Sequence, residues 1–259
     1  MPVAILHIPI LELQAFFFIF LRIGAIVMTL PVLDNRTIPI LFKAGLALCI
    51  SLHIYPLVDS QSAPALLEVI PFGIGVGNEI LLGALVGLSV KLVFVGVQMA
   101  GQLAGFQMGF SIANVFDPGA NSQVSLLARI YHLAALLFFL TLDAHHILIK
   151  AIVNSFRMVP PLGFQLTGPR LERFLVLSGD LFTIAVKVGA PIIIVMLLFS
   201  VGLAIVSRAV PQMNVFFVAM PAQIAVGLFF IGVTFPFLLQ FFKITFENLY
   251  RTVGLILMD

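Results

Sequence analysis

The sequence predicts an all-α, multi-helix protein that resides in a membrane. Apolar residues make up 61% of the 259 and charged residues only 9%, against roughly 45–50% and about 25% in soluble domains. Mean hydropathy is +1.20. The apolar residues gather into seven runs, several as long as the ~20 residues that carry a helix across a bilayer, and they lack the strict alternation of barrel strands. No polar stretch is long enough to fold as a separate soluble domain.

The first run, residues 13–33, follows an N-terminus with no basic residues and lies close to Glu12 and around Arg22, so it reads as retained sequence rather than a cleaved signal. The second, 40–58, is set off by Pro31 and Pro39 around DNRT, and by Pro56 and Pro64 around a Ser/Gln turn. Cys49, the one cysteine, has no internal disulfide partner, and in LALCISL it reads as a buried, inert thiol. The third run, 69–104, carries Gly83 and Gly87 as a GxxxG pair, which predicts close helix packing through small faces, because lipid supplies no hydrophobic drive between helices. Runs 124–142 and 145–158 flank a polar turn, and 174–206 and 213–242 complete the set. All read as helices, since stretches such as PIIIVMLLFSVGLAIV exceed strand length. The linker from Pro160-Pro161 to Pro169 is the one internal boundary, dividing residues 1–160 from 161–259.

Charges within these runs constrain what the helices face. Arg22, Lys43, Glu79, Lys91, Arg129, Asp180 and Lys187 each interrupt apolar sequence, and a central charge costs about 2.5–3.5 kcal/mol even on a lenient insertion scale. Lys43 and Lys187 can snorkel towards an interface. Glu79 and Lys91 stand twelve residues apart on one helix, roughly 120° off a common face, so each is expected to find its partner on another helix or another chain. The formal charge of +2 comes from thirteen basic residues scattered singly, which argues against a nucleic-acid partner and a polybasic lipid switch and assigns no topology.

Residues 101–123, GQLAGFQMGFSIANVFDPGANSQ, are uncharged but for Asp117 and are broken by Gly101, Gly105, Gly109, Pro118 and Gly119. Irregular backbone at membrane depth is tolerated where it is packed in protein or lines a water-filled path, so this segment reads as a pore-lining or gating loop. Catalytic chemistry has little support: GxSxG, P-loop and HExxH motifs are absent. Asp143, His145 and His146 form the densest polar cluster, but adjacent histidines do not share a helix face and no further ligand stands at metal spacing. They read as a polar turn. No enzyme activity, metal or cofactor is expected.

The run GFQMGFSIANVFDPGANSQVSLLARIYHLAALLFFLTLDAHHIL resembles the signature stretch of the FliR family, and PVLDNRTIPILFKAGLALCISL and SRAVPQMNVFFVAMPAQIAVGL resemble its early and late segments. The similarity runs from about Leu13 to Arg251, with Asp143-Ala144-His145 departing from the Asn-Gly-His common in that family. The resemblance implies a subunit of the type III protein-export gate, built of helical hairpins and assembled with two other hydrophobic subunits in the bacterial inner membrane, at a flagellar basal body or secretion-system base. It implies that further export-apparatus proteins are partners, and that unfolded proteins pass through. It implies that Gly105, Phe106, Met108, Gly109, Phe110, Ile112, Val115 and Phe116 form a channel plug, with Gly105 and Gly109 as its hinges. It also implies that Arg22, Glu79, Lys91 and Arg129 pair between helices or subunits. The alternative is a proton-coupled secondary transporter whose broken helix binds a small solute.

Overall fold

The computed structural model describes residues 10–34, 38–58, 68–110, 125–210 and 215–258. Among the described residues seven α-helices follow one another: α1 Ile10–Thr29, α2 Ile40–Ile54 with a 3-10 turn at Tyr55–Leu57, α3 Val69–Gln107, α4 Leu126–Thr141, α5 Ala144–Met158, α6 Gly168–Ala209 and α7 Val215–Met258. No strand occurs among the described residues. The all-α expectation holds, and each of the seven apolar runs corresponds to one helix. The helices overrun the apolar runs most at α7, which continues past residue 242 to Met258.

Among the described residues five elements are long and apolar enough to cross a bilayer: Ile10–Thr29, Ile40–Leu57, Val69–Gln107, Gly168–Ala209 and Ala219–Arg251. α4 and α5 qualify only as a pair, bent by 72° at their junction. Pro191 lies inside α6, and Pro221 and Pro236 inside α7, positions that long membrane helices accommodate through local re-satisfaction of the freed carbonyl. Only 17% of the apolar window is buried in Ile40–Leu57 and again in Ala219–Arg251. Most of that surface therefore meets lipid or other chains. Cys49 belongs to it: the thiol is exposed on α2 rather than buried, because apolar sequence in a membrane protein no longer implies an inward-facing side chain.

The chain divides into two compact units, each gathered from separate stretches. One comprises Met1–Lys91, Ala144–Ser178 and Asn248–Asp259. Its core stripe on α1 is Ala15, Phe18, Ile19, Arg22, Ile23, Ile26 and Val27, the three-and-four spacing of one helix face. α3 lies against this stripe through its glycines. A methyl group placed on Gly83 would stand 2.8 Å from Ala25 Cβ, and one on Gly87 2.9 Å from Thr29 Cβ, so the backbones approach only because those positions have no side chain. Thr29 turns its hydroxyl back onto the Ala25 carbonyl at 2.9 Å, which satisfies the donor while its oxygen faces Gly87.

The other unit comprises Leu92–Asp143 and Gly179–Glu247. Phenylalanines fill it: Phe94 meets Phe139 and Phe246 at ring-centroid separations of 5.7 and 5.9 Å, and Phe138 meets Phe235 and Phe242 at 5.2 and 5.4 Å. These tilted and edge-on pairs each add about 0.5–1.5 kcal/mol beyond area burial. Small residues again set the helix spacing, with Gly96 against the Leu181 carbonyl and Gly101 against the Ala128 backbone, each leaving 2.8 Å for a methyl group.

Candidate functional site: a buried ion-pair clamp and a capped helix end

Arg22 and Glu79 are both fully buried and meet in a two-point pair, Nε to Oε2 at 2.5 Å and Nη2 to Oε1 at 3.0 Å. The fork of the guanidinium matches the two carboxylate oxygens. Its other donors reach the end of α5. Nη1 donates to the carbonyls of Ser155 at 3.1 Å and Val159 at 2.8 Å, and Nη2 reaches that of Pro160 at 3.4 Å. Every Arg22 donor thus has an acceptor, and the cation stacks over Phe156 with 4.2 Å to the ring centroid. The last carbonyls of a helix lack intrahelical partners, so Arg22 serves as the C-terminal cap of α5 while neutralising Glu79.

Glu79 in turn accepts from the Leu162 backbone N–H at 2.7 Å. Leu162 has φ 69, the left-handed region that a bulky side chain adopts only when its surroundings impose it. The Glu79 hydrogen bond and the Gly163 N–H to Pro160 carbonyl bond of 2.9 Å hold that turn. The buried pair therefore ties together α1, α3, α5 and the start of the 160–167 linker. The resemblance had allowed pairing between subunits for these residues. In the structure both partners lie in this chain, and at zero exposure neither reaches a neighbour.

The other two charges named with them behave differently. Lys91 Nζ meets Asp34 Oδ2 at 2.6 Å, but the side chains are 35% and 49% exposed, so Lys91 is not a buried charge. Arg129 is exposed on α4 and has no ion-pair partner among the described residues. Asp180 and Lys187 on α6 are likewise exposed and without an ion-pair partner there. Burial could not be read from apolar flanks alone, since those flanks are themselves largely outward-facing.

At the entrance to the 101–123 segment, α3 continues through Gly101 and Gly105 and stops at Gln107. Gly105 thus precedes the helix end. It is buried inside the helix, where a methyl group would stand 2.7 Å from Ser125 Oγ. The turn comes at Gly109, with φ 84. Phe110 N–H donates to the Gly105 carbonyl at 3.0 Å and Gly109 N–H to the Phe106 carbonyl at 3.2 Å, the paired bonds of a Schellman cap with glycine in the left-handed position. Met108 is fully buried, and its sulfur would stand 2.5 Å from a methyl group on Gly227, so the end of α3 is pinned to α7. Phe106 is 50% exposed and Phe110 half-buried. Ile112, Val115 and Phe116 lie outside the described residues.

The far side of the segment is fastened to the near side. Ser125 accepts from Ala128 N–H at 3.2 Å as the N-cap of α4, and its own N–H donates to Gln102 Oε1 at 2.9 Å. Sequence reasoning missed Ser125, although a serine before LLARIYHL is an N-cap signal, and it missed Gly227, Ser155, Val159 and Leu162. No spacing rule finds those last four, because each contact joins helices distant in sequence.

The turn between α4 and α5 also differs from expectation. Asp143, at φ 53, stands between α4 and α5, while His145 and His146 are adjacent in the first turn of α5. One donor atom from each of Asp143, His145 and His146 lies within 4.8 Å of the others.

These features define a class: an all-α membrane protein whose long helices lock through glycine faces and a buried ion pair, with a capped glycine turn at the end of its third helix. Residues 13–249 match the family described as bacterial export proteins, family 1, and the chain belongs to that family. It is 32% identical to the flagellar biosynthetic protein FliR of Bacillus subtilis over 254 residues, covering 93% of this chain and 95% of that protein. Identity to FliR of Escherichia coli is 28% over 242 residues, covering 93% and 92%. It is also 29% identical to the Yop proteins translocation protein T of Yersinia pestis over 211 residues, 80% of each chain.

Proposed function

We propose that this chain is a core subunit of a type III protein-export gate in the bacterial inner membrane, assembled as a single copy with two other hydrophobic subunits, through which unfolded substrates pass. Family membership across residues 13–249 carries the reading, and relatives named for both flagellar biosynthesis and Yop translocation support its export character. The exposed surface supports the need for unlike neighbours. Arg129, Asp180 and Lys187 stand exposed in apolar helices, beside outward Leu133, Leu137, Phe182 and Val186. Lipid would penalise those charges, whereas partner helices or a hydrated channel would pair or solvate them.

In this reading residues 105–116 are the plug. An apolar constriction stops ions by dewetting yet gives way to a polypeptide pushed through it. The capped turn at Gly109 is where that segment leaves α3, and Met108 is its anchor rather than part of the constriction. The chain's halves, 1–160 and 161–259, are the counterparts of the two partner types joined end to end, with the Arg22–Glu79 clamp seated on the junction. The reading asks no covalent chemistry of this chain. Native mass spectrometry of the detergent-purified assembly tests it: one copy among unlike subunits is expected. A stable homo-oligomer, or a functional monomer that binds a small solute, would overturn the gate in favour of a transporter.

A further inference from the structure

We propose that Asp143, His145 and His146 form a surface site for a divalent transition-metal ion, with zinc the ion expected. The site is independent of the export role. Its donors are two imidazoles and one carboxylate, each with a ligand atom within 4.8 Å of the others. The two rings stand 4.2 Å apart between centroids and 37° from coplanar. A tetrahedral ion with bonds of about 2.0–2.2 Å separates its ligands by about 3.3 Å. The remaining closure of about 1.5 Å falls on the side chains of Asp143 and His146, which are exposed, and His145, which is half-buried.

The three donors come from one short stretch at the start of α5. Asp143 sits at φ 53, a conformation Asp adopts at small cost, and α5 begins at the next residue. The carboxylate also offsets the partial positive charge of the first helical turn, which would otherwise oppose a cation. Imidazole nitrogens favour zinc, nickel or copper, whereas magnesium and calcium prefer all-oxygen sites. Three protein donors leave a fourth position for water or for a group from another chain.

The test titrates Zn²⁺ into the purified membrane complex containing the full chain, against a chromophoric chelator, with Mg²⁺ as control. Wild type is expected to bind one more zinc per chain than the double variant His145→Ala/His146→Ala, and Mg²⁺ is expected not to compete. Asp143→Asn keeps a residue that tolerates left-handed backbone, and His146→Ala alters an exposed side chain. Each is expected to assemble normally on size exclusion and to weaken zinc binding at least tenfold. X-ray absorption of the wild-type complex carrying one equivalent is expected to show imidazole scattering. Equal zinc uptake by wild type and double variant overturns the proposal, as does a spectrum dominated by sulfur, which would place the ion at exposed Cys49.

Discussion

Replacing Glu79 with leucine is the sharpest test of the buried clamp. The substitution removes the counter-charge of a fully buried guanidinium and leaves the Leu162 N–H, which donates to Glu79 at 2.7 Å, without its acceptor. Breaking a buried pair from one side costs about 3–5 kcal/mol, or roughly 10²–10⁴ in the folded-to-unfolded ratio, a large share of the ~5–15 kcal/mol that holds a domain. Arg22→Met should cost a similar amount, because it strands the Glu79 carboxylate and the Val159 carbonyl that Nη1 caps at 2.8 Å. The double variant removes both charges, leaving only the orphaned backbone groups at about 1–3 kcal/mol each. It is therefore expected to fall short of the sum of the singles by about 3 kcal/mol. Equilibrium unfolding of the four proteins in mixed detergent micelles reads the coupling, and immunoblots of assembled complex read the consequence. Single variants whose losses add within about 0.5 kcal/mol would refute the clamp, as would wild-type yield of Glu79→Leu.

Lys91→Leu is expected to change stability by no more than about 1 kcal/mol in the same assay, because its pair with Asp34 is substantially exposed; a loss equal to that of Glu79→Leu would contradict the ranking. Gly83→Ala and Gly87→Ala should each cost about 1–3 kcal/mol by forcing α1 and α3 apart, whereas Gly24→Ala, with open space around it, should be neutral or stabilising by up to ~1 kcal/mol. Gly109→Ala should lose about 1 kcal/mol and Gly109→Asn less, read as melting temperatures of the complex, since only the left-handed cap at φ 84 distinguishes them. Deleting residues 109–115 is expected to leave assembly intact but to let ions leak across the membrane, measured as conductance or dye uptake; unchanged permeability in a stably assembled deletion would remove the plug assignment.

Much of this architecture was legible because it is written in local chemistry. Apolar runs longer than ~20 residues, proline-marked connections and the absence of strand alternation determine helices in a membrane, and all seven runs became helices. GxxxG at Gly83 and Gly87 anticipated close packing, because absence of a side chain is itself the cause of close approach. The angular argument on α3 correctly denied a Glu79–Lys91 pair, because helical pitch is a property of the sequence interval alone. What the sequence could not contain was which helix meets which. Arg22 and Glu79 are 57 residues apart, and Arg22 and Val159 are 137 apart; only packing brings them together, and only packing distinguishes buried Glu79 from half-exposed Lys91. The same reason separates Gly105, held straight against Ser125, from Gly109, turned by the cap: two glycines four residues apart with equal intrinsic freedom take different roles because one has a neighbour and the other ends a helix. At Asp143 one left-handed residue places a carboxylate beside two histidines of the next helix. Composition and periodicity thus decide what each segment is, since those depend on solvent and pitch, while tertiary structure decides what each charge and glycine does, since that depends on its neighbours.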